Sequence, residues 1–308
     1  MEGLAQALLV RLGRALLTVW LVVTAVFVVL RSTGDPVRLL LPEDAPIEQV
    51  EAMRAKLGLD RSIPEQYLRF WMQALSGDLG ASIRFQLPAL RLVLVRLWPT
   101  VQLGFTAFAL AAVGGVALGI LAALARGRPV DQLVMAWMTL LQASPSFLIG
   151  IVLIFVFSVR LSWFPSNGYG SIQHLVLPAL TLAMITMAAL GRIVRSSLLE
   201  VLQADYVRTA RAKGLPRRSV VLRHALRSAS LPIVTVLGLE MASLLTGAIV
   251  VETVFTWPGV GRLAVEAVAV RDYPVVQAGV LVVTLVFVTI NFVVDVSYVI
   301  LDPRVRHV

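Results

Sequence analysis

Long apolar runs, separated by shorter polar stretches, dominate the pattern of the chain. A run of about 20 apolar residues can cross the hydrocarbon core of a membrane as a helix, because a helix satisfies its own backbone hydrogen bonds there. Such runs occur at residues 12–30, 101–125, 133–159, 175–191, 231–251 and 275–301. The pattern therefore predicts an all-α, polytopic membrane protein with six transmembrane helices.

Charged residues define the limits of two of these runs. Arg11 and Arg14 precede the first run, as in a signal peptide, but no small-residue cleavage pattern follows it. We therefore interpret the first run as a retained membrane anchor. Arg192 and Arg195 cut the fourth apolar run short, so we expect its span to end before them.

A polar stretch at residues 31–98 separates the first two spans and carries nine basic and eight acidic residues. Two parts of it, residues 46–57 and 64–75, open with a proline, which suits the first turn of a helix. The apolar residues at helical spacing are Ile47, Val50, Met53 and Leu57 in the first part, and Tyr67, Leu68, Trp71 and Leu75 in the second. We expect two short amphipathic helices that pack on the spans; the membrane surface and an extracytoplasmic partner are the alternatives.

The composition agrees with lipid as the main solvent. Hydrophobic residues make up 58% of the chain and charged residues 15%, and the mean hydropathy is +0.85, too apolar for a soluble domain. The absence of cysteine excludes disulfides and thiolate metal sites. The net charge of +9 does not predict nucleic-acid binding, because no recognition motif accompanies the basic residues.

The basic residues instead predict the orientation in the membrane, since short cytoplasmic loops are enriched in Lys and Arg. With the N-terminus inside, the cytoplasmic segments hold Arg11, Arg14, Arg126, Arg128, nine basic residues at 192–231, Arg304 and Arg306. The two short outside loops then hold only Arg160, Arg262 and Arg271. We expect both termini in the cytoplasm and residues 31–98 outside.

The basic loop at residues 192–231 has two parts. Residues 204–216 predict a short helix that begins near Asp205 and ends at Gly214, a residue suited to the left-handed position after a helix. Pro216 prevents the helix from continuing. The second part, residues 219–231, predicts a basic helix that leads into the fifth span.

The same loop contains the sequence YVRTARAKG at 206–214, then HALR at 224–227 and Leu-Pro at 231–232. These residues resemble the EAA loop of ABC importer permeases of the dipeptide/oligopeptide/nickel family, and in particular its B-type subunit. Arg208 replaces the consensus glutamate of that loop, and the proline lies farther from the glycine than in the general form; both departures are usual in the peptide-type branch. The resemblance extends to GDLGAS at 77–82, SPSF at 144–147, WFP at 163–165, VETVFTWPGVG at 251–261, RDYP at 271–274 and DPR at 302–304.

This resemblance implies the type I ABC importer permease fold. It divides the chain into an N-terminal tail and first span (1–30), an extracytoplasmic segment (31–98) and a permease core (99–308). The helix of the EAA loop would enter a groove on a separate ATPase subunit. The docking residues that the resemblance implies are Asp205, Tyr206, Arg208, Thr209, Ala210, Arg211, Lys213, Gly214 and Leu215.

The resemblance also implies the partners: a C-type permease as heterodimer partner, one or two ABC ATPase subunits, an extracytoplasmic solute-binding protein and membrane lipid. ATP and Mg would bind the ATPase subunits. This agrees with the residues of the chain, which has no phosphate-binding loop, no nucleophile elbow and three widely separated histidines. We therefore predict a non-catalytic subunit with no cofactor or metal of its own.

Polar residues and one proline inside the spans are candidates for the translocation path, because polar groups are costly in lipid. They are Pro145, Glu240, Ser243, Thr246, Asn291 and Asp295. For Glu240 an interhelical hydrogen bond is the alternative, for Asn291 and Asp295 a helix–helix contact, and for Pro145 a static bend. Gly114, Gly115 and Gly119 predict close helix packing instead.

Three functional classes are compared on this basis. The first is a permease subunit of an ATP-driven importer of di- and oligopeptides, with nickel chelates or haem as other possible solutes. The second is an ion-coupled secondary transporter or channel, which predicts inverted repeats and paired intramembrane acids. The third is a membrane scaffold, which does not need a charged residue such as Glu240 in a span.

Overall fold

The computed structural model of the protein describes residues 2–32, 37, 41, 45–56, 58–216 and 219–301. This part of the chain is helical apart from turns, loops and one isolated antiparallel bridge between Ala81 and Pro88. The predicted all-α class is confirmed.

Eleven segments are named here as α-helices. They are α1 Glu2–Ser32, α2 Ile47–Lys56, α3 Ile63–Ser76, α4 Ala89–Leu124, α5 Pro129–Ala143, α6 Ser146–Leu153, α7 Ile172–Val201, α8 Asp205–Ala212, α9 Ser230–Val254, α10 Val260–Ala269 and α11 Tyr273–Leu301. Helix α6 continues as a π-helix at Ile154–Arg160, and a second π-helix, Val220–Ala225, precedes α9.

The predicted spans fall on these helices. Within the described residues, the helices α1, α4, α7 and α11 are each long and apolar enough to cross a membrane, and α5 with α6 and its π-helix forms a fifth, broken span. The remaining predicted span, the fifth along the chain, corresponds to α9, which has 25 residues and contains the apolar stretch Pro232–Met241.

The third predicted span is not one continuous helix. Helices α5 and α6 meet at an angle of 112°, and the break lies at Ser144 and Pro145. Pro145 is extended, with φ −61° and ψ 142°, and it has no N–H to continue the hydrogen bonds of α5. The Ser144 hydroxyl donates to the carbonyl of Leu140 at 2.8 Å and so satisfies an acceptor in the last turn of α5. The predicted bend at Pro145 is confirmed, but it divides the span into two helices.

Helix α7, on which the fourth predicted span falls, extends beyond that span. Helix α7 continues through Arg192 and Arg195 to Val201. Arg195 is compensated by an ion pair with Asp131, so its charge does not oppose the helix. Arg192 is exposed on the helix surface.

Residues 1–99 and 259–308 form one compact unit. In it α11 packs against α1 and α10, and a core of apolar residues that includes Val23, Phe27 and Val276 lies between them. The buried residue of α3 in this core is Phe70, with Tyr67 packed beside it.

The face predicted for α3 is therefore partly wrong. Tyr67 and Trp71 face the core as expected, but Leu68 and Leu75 are 61% and 86% exposed. The rings of Tyr67 and Phe27 stack edge to face with centroids 5.3 Å apart. Such aromatic contacts stabilise the orientation in which α3 buries the face with residues 67, 70, 71 and 74 and exposes Leu68 and Leu75.

Residues 100–258 form a second compact unit, in which α7 packs against α5, α6 and α9. Helix α4 lies close to α7 at two glycines. A Cβ atom on Gly115 would lie 2.9 Å from the carbonyl oxygen of Met187, and one on Gly119 would lie 2.6 Å from that of Gly191. Since real side chains do not approach a backbone this closely, the predicted close packing at these glycines is confirmed.

Candidate functional site

Helix α8 follows α7 after three residues and has one buried face. Val207 is fully buried and packs with Val220 of the second π-helix, beside Val201 and Leu202 at the end of α7. The predicted helical stop is observed, because Gly214 follows α8 with φ +76°, a conformation that glycine adopts without strain. The short helix therefore rests on α7 and on the segment that leads to α9.

The opposite face of α8 is exposed. Tyr206 is 47% exposed, and Leu215, just after the end of the helix, is 39% exposed. Asp205 and Arg208 lie 3.5 Å apart with almost fully exposed side chains, so this pair adds little stability. The other exposed docking candidates are Thr209, Lys213 and Gly214. The side chains of Ala210 and Arg211 lie outside the described part of the chain.

Among the candidates in the spans, Glu240 joins α9 to α7. The hydroxyl of Thr186 in α7 donates to Oε2 of Glu240 at 3.1 Å, and the hydroxyl of Ser243 donates to the same oxygen at 3.0 Å. Thr186 is buried. The interhelical hydrogen bond expected as one of two roles for Glu240 is thus observed; the side chain of Thr246 lies outside the described part.

In the last span, the amide of Asn291 donates to the carbonyl of Phe287 in its own helix at 2.9 Å. The side chain of Asp295 is outside the described part. Pro145 marks the sharp break between α5 and α6, as described above.

An ion pair that the sequence analysis did not identify joins α5 to α7. Arg195 Nε donates to Oδ1 of Asp131 at 2.7 Å and its Nη2 donates to Oδ2 at 2.8 Å. The backbone N–H of Gly127 also donates to Oδ2, at 3.1 Å. The side chains of Arg195 and Asp131 are 24% and 6% exposed. Two parallel hydrogen bonds in a mostly buried setting fix the two helices firmly.

Two further buried carboxylates lie in segments that carried the family resemblance. Glu252 accepts a hydrogen bond from the hydroxyl of Thr100 at 2.6 Å and is fully buried. Asp272 accepts from the hydroxyl of Ser82 at 2.5 Å and from the backbone N–H groups of Ile83 and Arg84 at 3.1 and 3.3 Å. The segments 77–82 and 271–274 therefore meet in the structure. The sequence contains both segments but does not indicate that Asp272 contacts Ser82.

Residues 115–307 match the family described as "Binding-protein-dependent transport system inner membrane component". The chain is 44% identical over 274 residues to the glutathione transport system permease protein GsiC of Escherichia coli strain K12 and to that of Shigella dysenteriae serotype 1 (strain Sd197). Each alignment covers 89% of this chain and 90% of the relative.

Solved structures show the same fold. The chain is similar to an amino acid ABC transporter crystallised with histidines, with a TM-score of 0.53, 16% identity, and coverage of 67% of this chain and 92% of that one. It is also similar to the inward-facing MetNI methionine ABC transporter, with a TM-score of 0.54, 18% identity, and coverage of 66% and 93%. At this identity the similarity concerns the fold alone.

The family match spans more than half of the chain and the similarity to curated permeases spans most of it. These findings favour the first of the three functional classes over the ion-coupled transporter and the scaffold. ATPase and binding-protein partners follow from membership of such a family. The chain therefore belongs to the binding-protein-dependent transport system inner membrane components, as a multi-pass, non-catalytic permease subunit of the peptide-type ABC importers.

Proposed function

We propose that the chain forms part of the membrane pathway of an ATP-driven importer of short peptides, with glutathione as one cargo. The observation that carries this proposal is the 44% identity, over 89% of the chain, to permeases named for glutathione transport. Nickel chelates and haem are the competing cargoes within the same family. They are tested as competitors below.

Helix α8 is the element that couples transport to ATP hydrolysis in this proposal. A helix that enters a groove needs an exposed face, a rigid base and a definite end. Tyr206 and Leu215 are exposed, Val207 anchors the helix, and Gly214 ends it. The cations of Arg208 and Lys213 would meet an acidic rim on the ATPase subunit, where ATP and Mg bind.

The same proposal includes the orientation and the partners. Both termini lie in the cytoplasm, so that α8 faces the ATPase subunits, and residues 31–98 form an extracytoplasmic segment that helps to receive the solute-binding protein. Residues 99–308 form the permease core, paired with a C-type permease around the path. In that path, Glu240 and Ser243 of α9 are candidates for contact with the cargo, because the carboxylate of Glu240, to which Ser243 donates a hydrogen bond, is an acceptor within a span.

The proposal is tested by reconstitution. The chain is assembled in proteoliposomes with the proposed C-type permease and ATPase subunits, and the proposed solute-binding protein is added outside. We expect ATP-dependent accumulation of radiolabelled glutathione that unlabelled di- and tripeptides reduce. Accumulation of a nickel chelate or haem without peptide uptake would contradict the peptide assignment.

The coupling role of α8 needs a separate test. We expect Gly214→Pro to abolish uptake while membrane insertion and complex assembly persist, because proline cannot adopt the positive φ of Gly214 and the chain leaves α8 in another direction. Gly170→Pro is the matched control, since Gly170 also has a positive φ, +113°, but lies in a different loop. We also expect Arg211→Glu to abolish uptake, with Arg211→Lys as its control. Normal uptake by both Gly214→Pro and Arg211→Glu would refute the coupling role.

A further inference from the structure

Helix α3, in the segment between the first two spans, exposes a row of apolar side chains. Leu68, Met72 and Leu75 are 61%, 63% and 86% exposed. Their spacing of four and three positions places them along one side of the helix, here called the exposed apolar side of α3. A single exposed apolar residue is ordinary, but a continuous apolar surface indicates that another molecule covers it.

This side adjoins the side of α3 that packs in the protein core. The residues of α3 in the core are Tyr67, Phe70, Trp71 and Ala74. At about 100° per residue, the two apolar sides together take up roughly half of the circumference of the helix.

The rest of α3 is the polar side, formed by Glu65, Arg69 and Gln73 at intervals of four positions. Glu65 and Arg69 form an ion pair at 3.5 Å with half-exposed side chains, and Gln73 is exposed. A helix with one broad apolar half and one charged half is typical of helices that lie in a membrane interface.

Helix α3 contacts α1 within the part of α1 that crosses the membrane. The hydroxyl groups of Tyr67 and Thr24 share a hydrogen bond of 2.8 Å. The ring centre of Phe27 lies 5.3 Å from that of Tyr67 and 6.0 Å from that of Phe70. Thr24 and Phe27 both belong to the apolar span Val10–Ser32. The contact with α3 therefore lies at the side of a span and not beyond its end.

The depth of this contact follows from the end of the span. The guanidinium carbon of Arg31 lies 5.4 Å from the ring centre of Tyr273, the first residue of the span of α11. The two spans therefore end at a common level, marked by a charged and an aromatic side chain, as is usual at a membrane interface. At 1.5 Å per residue, Phe27 and Thr24 lie about 6 and 10 Å below Arg31. In a hydrocarbon core roughly 30 Å thick, this depth is within one leaflet.

Helix α1 leaves this depth open to lipid. Only 17% of its most apolar window is buried inside the protein. Val28 and Val29, which follow Phe27, are exposed, as expected for a span that borders on lipid. Helix α3 thus packs on a span whose surface is mostly uncovered by the rest of the chain.

The ends of α3 suit an apolar environment because their backbone groups are largely satisfied. Pro64 lies in the first turn, where a backbone N–H would have no partner in the helix. At the other end Gly77 has φ +80°, and the N–H of Asp78 donates to the carbonyl of Gln73 at 2.9 Å. Unsatisfied backbone groups are costly in lipid, so a helix closed in this way can lie in the interface.

We propose that α3 is a membrane-interface helix whose exposed apolar side is covered by phospholipid. Leu68, Met72 and Leu75 insert among the acyl chains of the leaflet on the side of residues 31–98, and the polar side of α3 faces headgroups and water. In the proposed orientation this is the extracytoplasmic leaflet. The inference goes beyond the proposed import and does not depend on the cargo.

The proposal is tested with nitroxide labels on single cysteines, which the absence of native cysteine makes possible. The variants are Leu68→Cys, Met72→Cys and Leu75→Cys, in the full chain with its proposed partner subunits in phospholipid nanodiscs. Gln73→Cys, on the polar side of the same helix, is the matched control. Val28→Cys, in the span of α1, is the reference for lipid exposure.

Electron paramagnetic resonance then compares collisions of each label with oxygen, which concentrates in acyl chains, and with a water-soluble nickel chelate. We expect the labels at 68, 72 and 75 to collide mainly with oxygen, as at 28, at a depth of about 5–10 Å. The label at 73 should collide mainly with the chelate. Chelate collisions at 68, 72 and 75 equal to those at 73 would overturn the proposal. Labels there that meet neither reagent would also overturn it, because a protein surface would then cover this side.

Photocrosslinking identifies the covering molecule independently of the labels. Leu68→p-benzoylphenylalanine is irradiated in the same nanodiscs with the solute-binding protein present, and the adducts are identified by mass spectrometry. We expect a phospholipid adduct at position 68, and none with the same substitution at Gln73. An adduct at position 68 with the solute-binding protein or the C-type permease, in place of lipid, would overturn the proposal.

Discussion

The ion pair between Asp131 and Arg195 gives a quantitative prediction for the stability of the protein. Two unit charges about 4 Å apart interact with roughly 4 kcal/mol at the effective dielectric constant, near 20, that suits partly buried sites. Desolvation offsets part of this attraction, more for Asp131 than for the partly exposed Arg195. We therefore expect a net coupling of about 2 kcal/mol between the two side chains.

Each single substitution should cost at least as much as this coupling. Arg195→Met leaves the carboxylate of Asp131 buried with only the N–H of Gly127 as partner, and should lower the free energy of unfolding by about 3 kcal/mol. Asp131→Asn leaves Arg195 with a neutral acceptor for one of its two hydrogen bonds and should cost about 2 kcal/mol. The double variant contains no unpaired charge, so its loss should be about 2 kcal/mol smaller than the sum of the single losses.

The measurement is a double-mutant cycle on the purified chain in mixed micelles, with unfolding by a denaturing detergent followed by tryptophan fluorescence. Arg192→Met is the matched control, because Arg192 lies in the same helix and is exposed; it should change stability by less than about 0.5 kcal/mol. Additive losses in the double variant would refute the reasoning. They would mean that the geometry of the pair contributes no stability of its own.

Three further substitutions have defined outcomes. Gly119→Val should lower the thermal unfolding temperature markedly, because the new side chain meets the backbone of α7. Gly104→Val should have little effect, since a Cβ atom there meets nothing within 4 Å. Equal shifts of the unfolding temperature would contradict the close packing of α4 on α7. Glu252→Leu should destabilise the chain more than Thr100→Val. Glu252 is fully buried, whereas Thr100→Val replaces the threonine hydroxyl with a methyl group of similar shape. Circular dichroism melts compare the stability of the two variants. Asp272→Asn should increase proteolytic cleavage in the 77–86 turn, because it weakens the bonds that hold this turn; an unchanged cleavage rate would exclude that role.

Much of the fold could be predicted from the sequence, because hydrophobic length and charge act locally. Five of the six predicted spans fall on one helix each and the third falls on two, and the stop at Gly214 is observed with the expected positive φ. The bend at Pro145 was expected from the chemistry of proline. Its size was not, because the angle between α5 and α6 depends on what each half packs against.

The errors have a common physical origin in contacts between residues far apart in sequence. Helix α7 continues past Arg192 and Arg195 to Val201, which the apolar run that ends at Gly191 does not indicate. Asp131 lies 64 positions before Arg195, and a single sequence does not indicate that the two meet. In the same way, Leu68 and Leu75 match a helical face as well as Phe70 does, and the rings of α1 decide which face is buried.

The glycines of α4 have a mechanical consequence for how motion passes through the unit of residues 100–258. At Gly115 and Gly119 the backbones of α4 and α7 are in close contact, so one helix cannot be displaced toward the other there. Only three residues separate α7 from α8, and Val207 seats α8 against the end of α7. In the proposed coupling role, a displacement of α8 acts first on α7 and, through the glycine contacts, on α4.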